Sequence, residues 1–160
     1  MNLRIGLGYD VHQLAAGEEL WLGGILIPHE KGTLAHSDGD VLLHAICDAL
    51  LGAAGLRDIG YHFPDTDAAY RNIDSKKLLA SVYRKICDKG FRLVNLDATI
   101  SAQQPKLKEW IPSMEKVIAE ILESEEEFIN IKATTTEKLG FEGREEGISV
   151  QAVVLIEKAE

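Results

Sequence analysis

The stretch His36-Ser37-Asp38-Gly39-Asp40-Val41-Leu42-Leu43-His44 combines two histidines, two carboxylates and a hydroxyl in nine residues. Ser37 followed by Asp40 is a capping-box pattern, in which a hydroxyl and a carboxylate satisfy free amides at a helix start. The pattern predicts a helix over residues 38–55, closed by Gly55, with His36 before the cap and His44 roughly two turns inside. Because a helix N-terminus favours anions, the two imidazoles indicate a metal-assisted site for a phosphorylated ligand.

Length and composition restrict the class of protein. The 160 residues are expected to form one domain, residues 1–160, with its own core. An apolar fraction of 46% and a charged fraction of 27% are typical of a soluble globular protein. The net charge of -9 argues against nucleic acid and anionic membranes as partners, because both need a basic face. An acidic chain that binds phosphate must supply cations locally, through metal, lysine or helix ends.

The sequence lacks the patterns of targeting and of disulfide formation. It has no apolar run long enough to cross a membrane, and the N-terminus MNLRIGLGYD fits neither a signal nor a transit peptide. We therefore expect a cytoplasmic location of the bacterial type. Cys47 and Cys87 lie in predicted helices without a C-x-x-C pair, so we expect both to be buried, reduced thiols.

The N-terminal third is predicted to be mostly strand. Residues 3–9 alternate as a strand does, and if the strand continues, Asp10 and His12 project to one face. Two short apolar runs flank Gly23-Gly24, which predicts a hairpin. Residues 28–35 are then expected to form a loop, and residues 58–67, after the first helix, an irregular polar loop.

The remaining periodicity predicts two helices and three strands. They are a helix from Asp74 or Ser75 to Gly90, a strand over 93–103, a helix at Pro112, and strands over 128–135 and 148–157. An acidic loop (123–127) and a short capped turn (136–140) are expected between them. This order favours an α+β fold, a mixed four- to five-stranded sheet with helices packed on one face, plus a small N-terminal hairpin.

Asp10, His12 and His44 are a candidate tripod for Zn²⁺. Three protein ligands leave a fourth position open, as in catalytic zinc sites. Each residue taken alone is more typical of a structural or surface position, and only their joint occurrence favours a metal. Cys47, three residues after His44, is a candidate fourth ligand, although a buried core thiol is the simpler interpretation.

Other polar residues have both a functional and an ordinary interpretation. His36 could serve as a phosphate donor or proton carrier, or be a plain loop residue. Asp58, Asp65 and Asp67 could bind sugar hydroxyls or a cation, or be solvated turn carboxylates. Lys106 could bind a phosphate or a base carbonyl, although most exposed lysines do neither.

The run Thr134-Thr135-Thr136-Glu137 is more informative. Three hydroxyls at a strand end that enters a helical turn can form a phosphate cradle, and the Glu can hold Mg²⁺. The alternative is β-branched strand residues followed by a capping Thr. Arg144 is a further candidate anion contact, or a surface arginine.

Five segments, in order and at family length, resemble the 2-C-methyl-D-erythritol 2,4-cyclodiphosphate synthase family. They are residues 6–12, 36–44, 58–60, 63–67 and 132–141. The resemblance implies a metal-dependent phosphorus-oxygen lyase of the non-mevalonate isoprenoid pathway. Its substrate would be 4-diphosphocytidyl-2-C-methyl-D-erythritol 2-phosphate, whose 2-phosphate attacks the β-phosphorus and releases CMP. It also implies a homotrimer built around the sheets, with sites between neighbouring subunits.

The same resemblance assigns roles to residues. Asp10, His12 and His44 would hold Zn²⁺, and Glu137 would contribute to a Mg²⁺ or Mn²⁺ bridging the substrate diphosphate. His36 and Thr135 would stabilise the transition state. Because the nucleophile belongs to the substrate, the protein needs only to position groups and neutralise charge.

The implied substrate contacts form several groups. The methylerythritol part would be held by Ser37, Phe63, Pro64, Asp65, Thr66 and Asp67. The ribose would be held from the adjacent subunit by Asp58 and Gly60, with Ile59 between them in the substrate site. The cytosine pocket would comprise Ala102, Gln103, Gln104, Pro105, Lys106, Leu107, Lys108 and Thr134, and Thr136 would also belong to the substrate site. Phe141 and Arg144 match positions near the trimer axis, where the family has a cavity for isoprenoid diphosphates.

Two other functions remain open. One is a zinc-dependent phosphoesterase, in which water attacks the phosphorus. The other is a zinc-stabilised, non-enzymatic binding module for isoprenoid diphosphates that uses Arg144. Neither accounts for the 134–137 cradle alongside a separate cytosine-type pocket.

Overall fold

Five strands form one mixed sheet in the computed structural model, which describes residues 2–64, 66–70 and 72–159. The strands are β1 (Leu3–Ala16), β4 (Lys31–Thr33), β5 (Phe91–Ser101), β6 (Ile129–Thr134) and β7 (Gly147–Lys158), and β2 (Leu20–Leu22) and β3 (Ile25–Ile27) form a separate hairpin. The helices are α1 (Val41–Ala53), α2 (Ile59–His62), α3 (Ser75–Asp88), α4 (Ile111–Ile121) and α5 (Gly140–Gly143), with 3₁₀ turns at Ala68–Tyr70 and Glu126–Phe128.

The sheet order is β4-β1-β7-β5-β6. β7 pairs antiparallel with both β1 and β5, whereas β5 and β6 are parallel. The predicted mixed sheet and the hairpin are therefore confirmed. Gly23 and Gly24 both have positive φ, 65° and 76°, as a two-residue hairpin turn requires.

Helix α1 lies directly on β1, and the contact depends on two glycines. A Cβ atom on Gly6 or Gly8 would overlap the carbonyl oxygens of Ala49 and Ala45. On the opposite face of β1, the side chains of Ile5, Leu7 and Tyr9 are exposed. β1 thus has one face closed by α1 and one face that is apolar and uncovered in this chain.

The predicted start of the first helix is wrong. The helix begins at Val41, and Asp40 is its cap, with a carboxylate that accepts hydrogen bonds from the Leu43, Gly23 and Gly24 amides. The side chain of Asp40 is fully buried and anchors the hairpin turn to the helix, so it does not reach back as a capping-box carboxylate would. The predicted end at Gly55, with φ 69°, is confirmed.

Three further predictions need correction. Residues 28–35 are not all loop, because they include strand β4. This strand forms by pairing with Leu14–Ala16, and such a distant contact leaves no periodic pattern in the local sequence. Residues 58–67 include α2, capped by Asp58, which accepts from the Tyr61 amide. Cys47 is buried as predicted, but Cys87 is exposed because it lies on the outer side of amphipathic α3. Across the described parts of the chain, every helix is too short or too polar to span a lipid bilayer.

Candidate metal centre and adjoining cavities

Asp10, His12 and His44 meet at one point, as the sequence predicts. His12 Nε2 lies 3.0 Å from Asp10 Oδ2. His44 Nδ1 lies 3.3 Å from Asp10 Oδ2 and 3.3 Å from His12 Nε2. Asp10 and His12 occupy alternate positions of β1, and His44 lies in the first turn of α1. Because Gly8 has no side chain, helix α1 can lie close to β1.

This donor set fits a divalent metal ion. Three ligand atoms bound at about 2.0–2.1 Å in a tetrahedral site lie roughly 3.3 Å apart, close to the separations found here. The three atoms can therefore hold one ion together. Cys47 is fully buried in the core, where burial raises the pKa of its thiol, so the interpretation as a core thiol is favoured over that of a fourth ligand.

Outer hydrogen bonds orient both imidazoles. His12 Nδ1 lies 2.8 Å from the Gly39 carbonyl oxygen, which can only accept, so Nδ1 donates and Nε2 is the ring nitrogen available to a metal. His44 Nε2 lies 2.9 Å from Ser75 Oγ and 3.3 Å from Ser37 Oγ. Such outer contacts are typical of metal-binding histidines.

The Asp10 carboxylate and the His12 imidazole change each other's pKa. Burial by itself raises the pKa of Asp10, but the contacts with His12 and His44 outweigh it and hold that pKa well below its usual range. Burial lowers the pKa of His12, but Asp10 and the Gly39 carbonyl outweigh it, and the pKa of His12 is raised above 6.5. At pH values below this raised pKa, a metal ion that binds here therefore competes with a proton for His12.

We expect the metal-free protein to lose stability as the pH rises through the raised pKa of His12. A histidine whose pKa is raised by folding stabilises the folded state fully below its unfolded pKa of about 6.5, and this contribution disappears above the folded pKa. Urea denaturation of chelator-treated protein between about pH 6 and pH 9 measures the decline. In His12→Gln the decline should be smaller, and an identical pH dependence in both proteins would contradict the assignment.

A cavity of about 410 Å³ opens over the three ligands. Of the residues that the sequence singles out, it is lined by Asp10, His12, His36, Ser37, His44, Ile59, Gly60, Phe63, Thr66 and Asp67. Asp58 and Pro64 do not line it, and Asp65 lies outside the described residues. Tyr70, which the sequence analysis missed, lies edge-on to Phe63 in its wall, with ring centroids 5.2 Å apart.

A second cavity, of about 400 Å³, lies where β5, β6 and the start of α4 meet. It is lined by seven residues of the predicted cytosine pocket, Ala102, Gln103, Pro105, Lys106, Leu107, Lys108 and Thr134. Thr135, predicted to stabilise the transition state, also lines it. Gln104 does not line it. Among the described residues, none lines both this cavity and the first one. The structure thus separates the predicted cytosine pocket from the metal centre within one chain.

The 134–137 run forms hydrogen bonds among neighbouring residues. The hydroxyls of Thr134 and Thr136 donate to the backbone carbonyls of Thr135 and Leu139. Thr135 Oγ1 accepts a hydrogen bond from the Glu137 amide. Glu137 is exposed, with φ 54°, and lines neither cavity.

The two predicted axial residues lie near the start of β7. Arg144 is exposed and pairs with Glu146, with Nε 3.0 Å from Oε1. This contact raises the pKa of Arg144 and lowers that of Glu146. Phe141 lies in α5, close to Gly147.

Fold and site together define a class of protein, an α+β protein with an Asp–His–His centre at the base of a cleft. Residues 3–157 match the model of the YgbB family. The chain is 63% identical over 158 residues, 99% of each chain, to the 2-C-methyl-D-erythritol 2,4-cyclodiphosphate synthase of Bacteroides fragilis. The chain therefore belongs to the YgbB family, which confirms the resemblance drawn from its motifs.

Solved structures agree with this assignment. The structure titled IspF of Plasmodium falciparum, a CDP complex, has a TM-score of 0.88 and 34% identity over 99% of this chain and 98% of that one. The bifunctional IspDF of Campylobacter jejuni has a TM-score of 0.95 and 47% identity. This chain is covered to 99% in that comparison but spans only 43% of the bifunctional protein.

Proposed function

We propose that this chain converts 4-diphosphocytidyl-2-C-methyl-D-erythritol 2-phosphate into 2-C-methyl-D-erythritol 2,4-cyclodiphosphate and CMP. An oxygen of the substrate's 2-phosphate forms a bond to the β-phosphorus. The bond from that phosphorus to the bridging oxygen breaks, and CMP leaves with this oxygen. The observation that supports the proposal most directly is the convergence of Asp10, His12 and His44 under a cavity in a chain of this family.

The protein needs no nucleophile of its own for this reaction. Its contribution is to hold two anionic groups in contact and to stabilise the charge that develops. Asp10, His12 and His44 would hold Zn²⁺ and Glu137 would contribute to Mg²⁺ or Mn²⁺, and the bound cations would neutralise phosphate charge.

Residues around the first cavity would bind and orient the substrate. His36 and Ser37 line the cavity beside the ligands, where His36 would stabilise the transition state and Ser37 would hold the methylerythritol part. Phe63, Thr66 and Asp67 line the same cavity and would complete that contact.

The second cavity would hold the nucleotide part of the substrate. Its walls carry Lys106 and Lys108 together with apolar Leu107, which suits a base and its neighbouring phosphate. Thr134 and Thr135 also line this cavity, and Thr135 would contact the reacting phosphate.

A homotrimer would bring the two cavities of different chains together. The exposed apolar side chains Ile5, Leu7 and Tyr9 support association through this sheet face, because monomers rarely leave such a row uncovered. Phe141 and Arg144 would then lie near the axis and could contact an isoprenoid diphosphate. The proposed location is the cytoplasm.

The test is incubation with the diphosphocytidyl substrate and analysis of the products by ³¹P NMR. We expect the cyclic diphosphate and CMP in equal amounts. His36→Ala should reduce the rate about 100-fold or more, as expected for loss of a transition-state contact, whereas Arg84→Ala, an exposed change on α3, should not. A linear product would instead identify a phosphoesterase, and the absence of any turnover would favour a binding module.

A further inference from the structure

The ring nitrogen of His44 that faces away from Asp10, Nε2, is linked to the Asp38 carboxylate through the buried hydroxyl of Ser75. Ser75 Oγ lies 2.9 Å from His44 Nε2, and Ser75 Oγ donates to Asp38 Oδ1 at 2.5 Å. The Ser75 amide also donates to Asp38 Oδ2, at 2.9 Å. Ser75 is fully buried and is the first residue of α3, so its hydroxyl is held in this contact.

The carboxylate determines the direction of every hydrogen bond in this chain of contacts. An ionised carboxylate can only accept, so the single hydroxyl proton of Ser75 points to Asp38. The oxygen of Ser75 is then left to accept from His44, which places the imidazole proton on Nε2. His44 Nδ1 is then the ring nitrogen available to a metal, and it lies 3.3 Å from both Asp10 Oδ2 and His12 Nε2.

Asp38 is itself held from several sides. Its amide donates to the Ile73 carbonyl, and its Oδ1 accepts from the Asp40 amide at 3.2 Å. The Asn72 amide donates to the His36 carbonyl at 2.7 Å. The same contacts therefore connect the start of α3 to the loop that carries His36.

We propose that Ser75 and Asp38 are positioning residues of the metal centre, which set the tautomer and the ring orientation of His44 so that Nδ1 can bind a metal. The inference rests on the proposed function only in that the three ligands bind a divalent ion. Outer partners of this kind are generally worth about 10- to 100-fold in metal affinity. Removing either the hydroxyl or the carboxylate charge should weaken metal binding by such a factor without removing a ligand.

The test is a Co²⁺ titration of chelator-treated protein, read from the visible absorption of the bound ion. Ser75→Ala and Asp38→Asn should each raise the Kd about 10- to 100-fold and alter the spectrum. Ser75→Thr keeps the hydroxyl and should restore near-normal binding. Ser81→Ala, a serine change on the same helix away from the ligands, is the control and should bind as the original protein does.

Nitrogen NMR of the histidine side chains reports the tautomer directly. In the metal-free protein Nε2 of His44 should carry a proton, and Ser75→Ala should shift the population toward the form that is protonated on Nδ1 alone. This readout separates positioning from a general loss of structure, because a folded variant with a changed tautomer cannot be explained by unfolding. Should Ser75→Ala fail to fold, Asp38→Asn and Ser75→Thr provide the same comparison.

The outcomes separate this inference from the proposed function. If both Ser75→Ala and Asp38→Asn kept the Co²⁺ affinity, the absorption spectrum and the His44 tautomer of the unaltered protein, the positioning role alone would be overturned. Absence of Co²⁺ binding in the unaltered protein would overturn both. Weaker binding in the variants, with no cyclic product from the unaltered protein, would support the positioning role and reject the proposed reaction.

Discussion

Asp10→Ala is expected to reduce formation of the cyclic diphosphate by on the order of a thousandfold, because a bound metal supplies several kcal/mol of charge stabilisation. Asp10 lies 3.0 Å from His12 Nε2 and 3.3 Å from His44 Nδ1, so its loss removes the one anionic donor of the centre. The measurement is the steady-state rate together with zinc content after dialysis. A chelator should have the same effect on the unaltered protein, and added zinc should reverse it there but not in the variant.

Asp88→Ala is the matched control for this change. Asp88 is the last residue of α3 and its side chain is exposed, so the variant loses one carboxylate without touching the centre. It should retain full activity and zinc content. If Asp10→Ala retained activity close to that of Asp88→Ala, the metal centre would not take part in the reaction.

Gly8→Ala is expected to lower the free energy of unfolding by about 3 kcal/mol or more. The added Cβ would overlap the carbonyl carbon and oxygen of Ala45 and approach the Ala49 amide, all of which are backbone atoms of α1. Backbone cannot move away as a flexible side chain can, so the helix must separate from the strand. Urea denaturation measures the loss, and a reduced metal affinity should accompany it because α1 carries His44.

Gly52→Ala provides the opposite result on the same helix. Gly52 is exposed, and a Cβ placed there meets no atom within 4 Å. Alanine is the better helix former, so this change should raise the free energy of unfolding by up to about 1 kcal/mol. Equal stability of Gly8→Ala and the unaltered protein would mean that the close contact of β1 and α1 is not needed.

Local patterns predicted much of this architecture because they report local interactions. Alternation placed Asp10 and His12 on one face of β1, and the two glycines at 23 and 24 marked the hairpin. Helical spacing and Asp74 placed α3. These features depend on the pleat of a strand, the geometry of a turn and the capping of a helix. Each of the three involves only residues within a few positions of one another.

Predictions failed where a distant contact outweighed the local pattern. Asp40 looked like the far end of a capping box, yet its carboxylate accepts from Gly23 and Gly24 in the hairpin turn. The same carboxylate caps the helix, which therefore begins at Val41 and has His44 in its first turn. Strand β4 escaped notice for the same reason, since it exists through pairing with the end of β1.

Ser75 illustrates a residue whose role in the site no short-range signal reveals. Its position at the start of a helix predicts a cap, and Asp38 sits within the loop that precedes α1. Only folding brings the pair together, across 37 positions of sequence, behind His44. The role of Ser75 depends on three side chains, those of His44, Ser75 and Asp38, being close together in space, and neither periodicity nor spacing in the sequence predicts that.

Residue types and their short-range spacing were thus enough to propose the three candidate ligands and the mixed sheet, and the resemblance of five local motifs indicated the family. The chain's path in space decided which carboxylate caps α1 and which hydroxyl contacts His44. It also decided that those predicted substrate residues that line a cavity divide between two separate ones. The reason is that caps, turns and pleats are satisfied among sequence neighbours, whereas the orientation of a ligand depends on buried groups that only packing brings within hydrogen-bond distance.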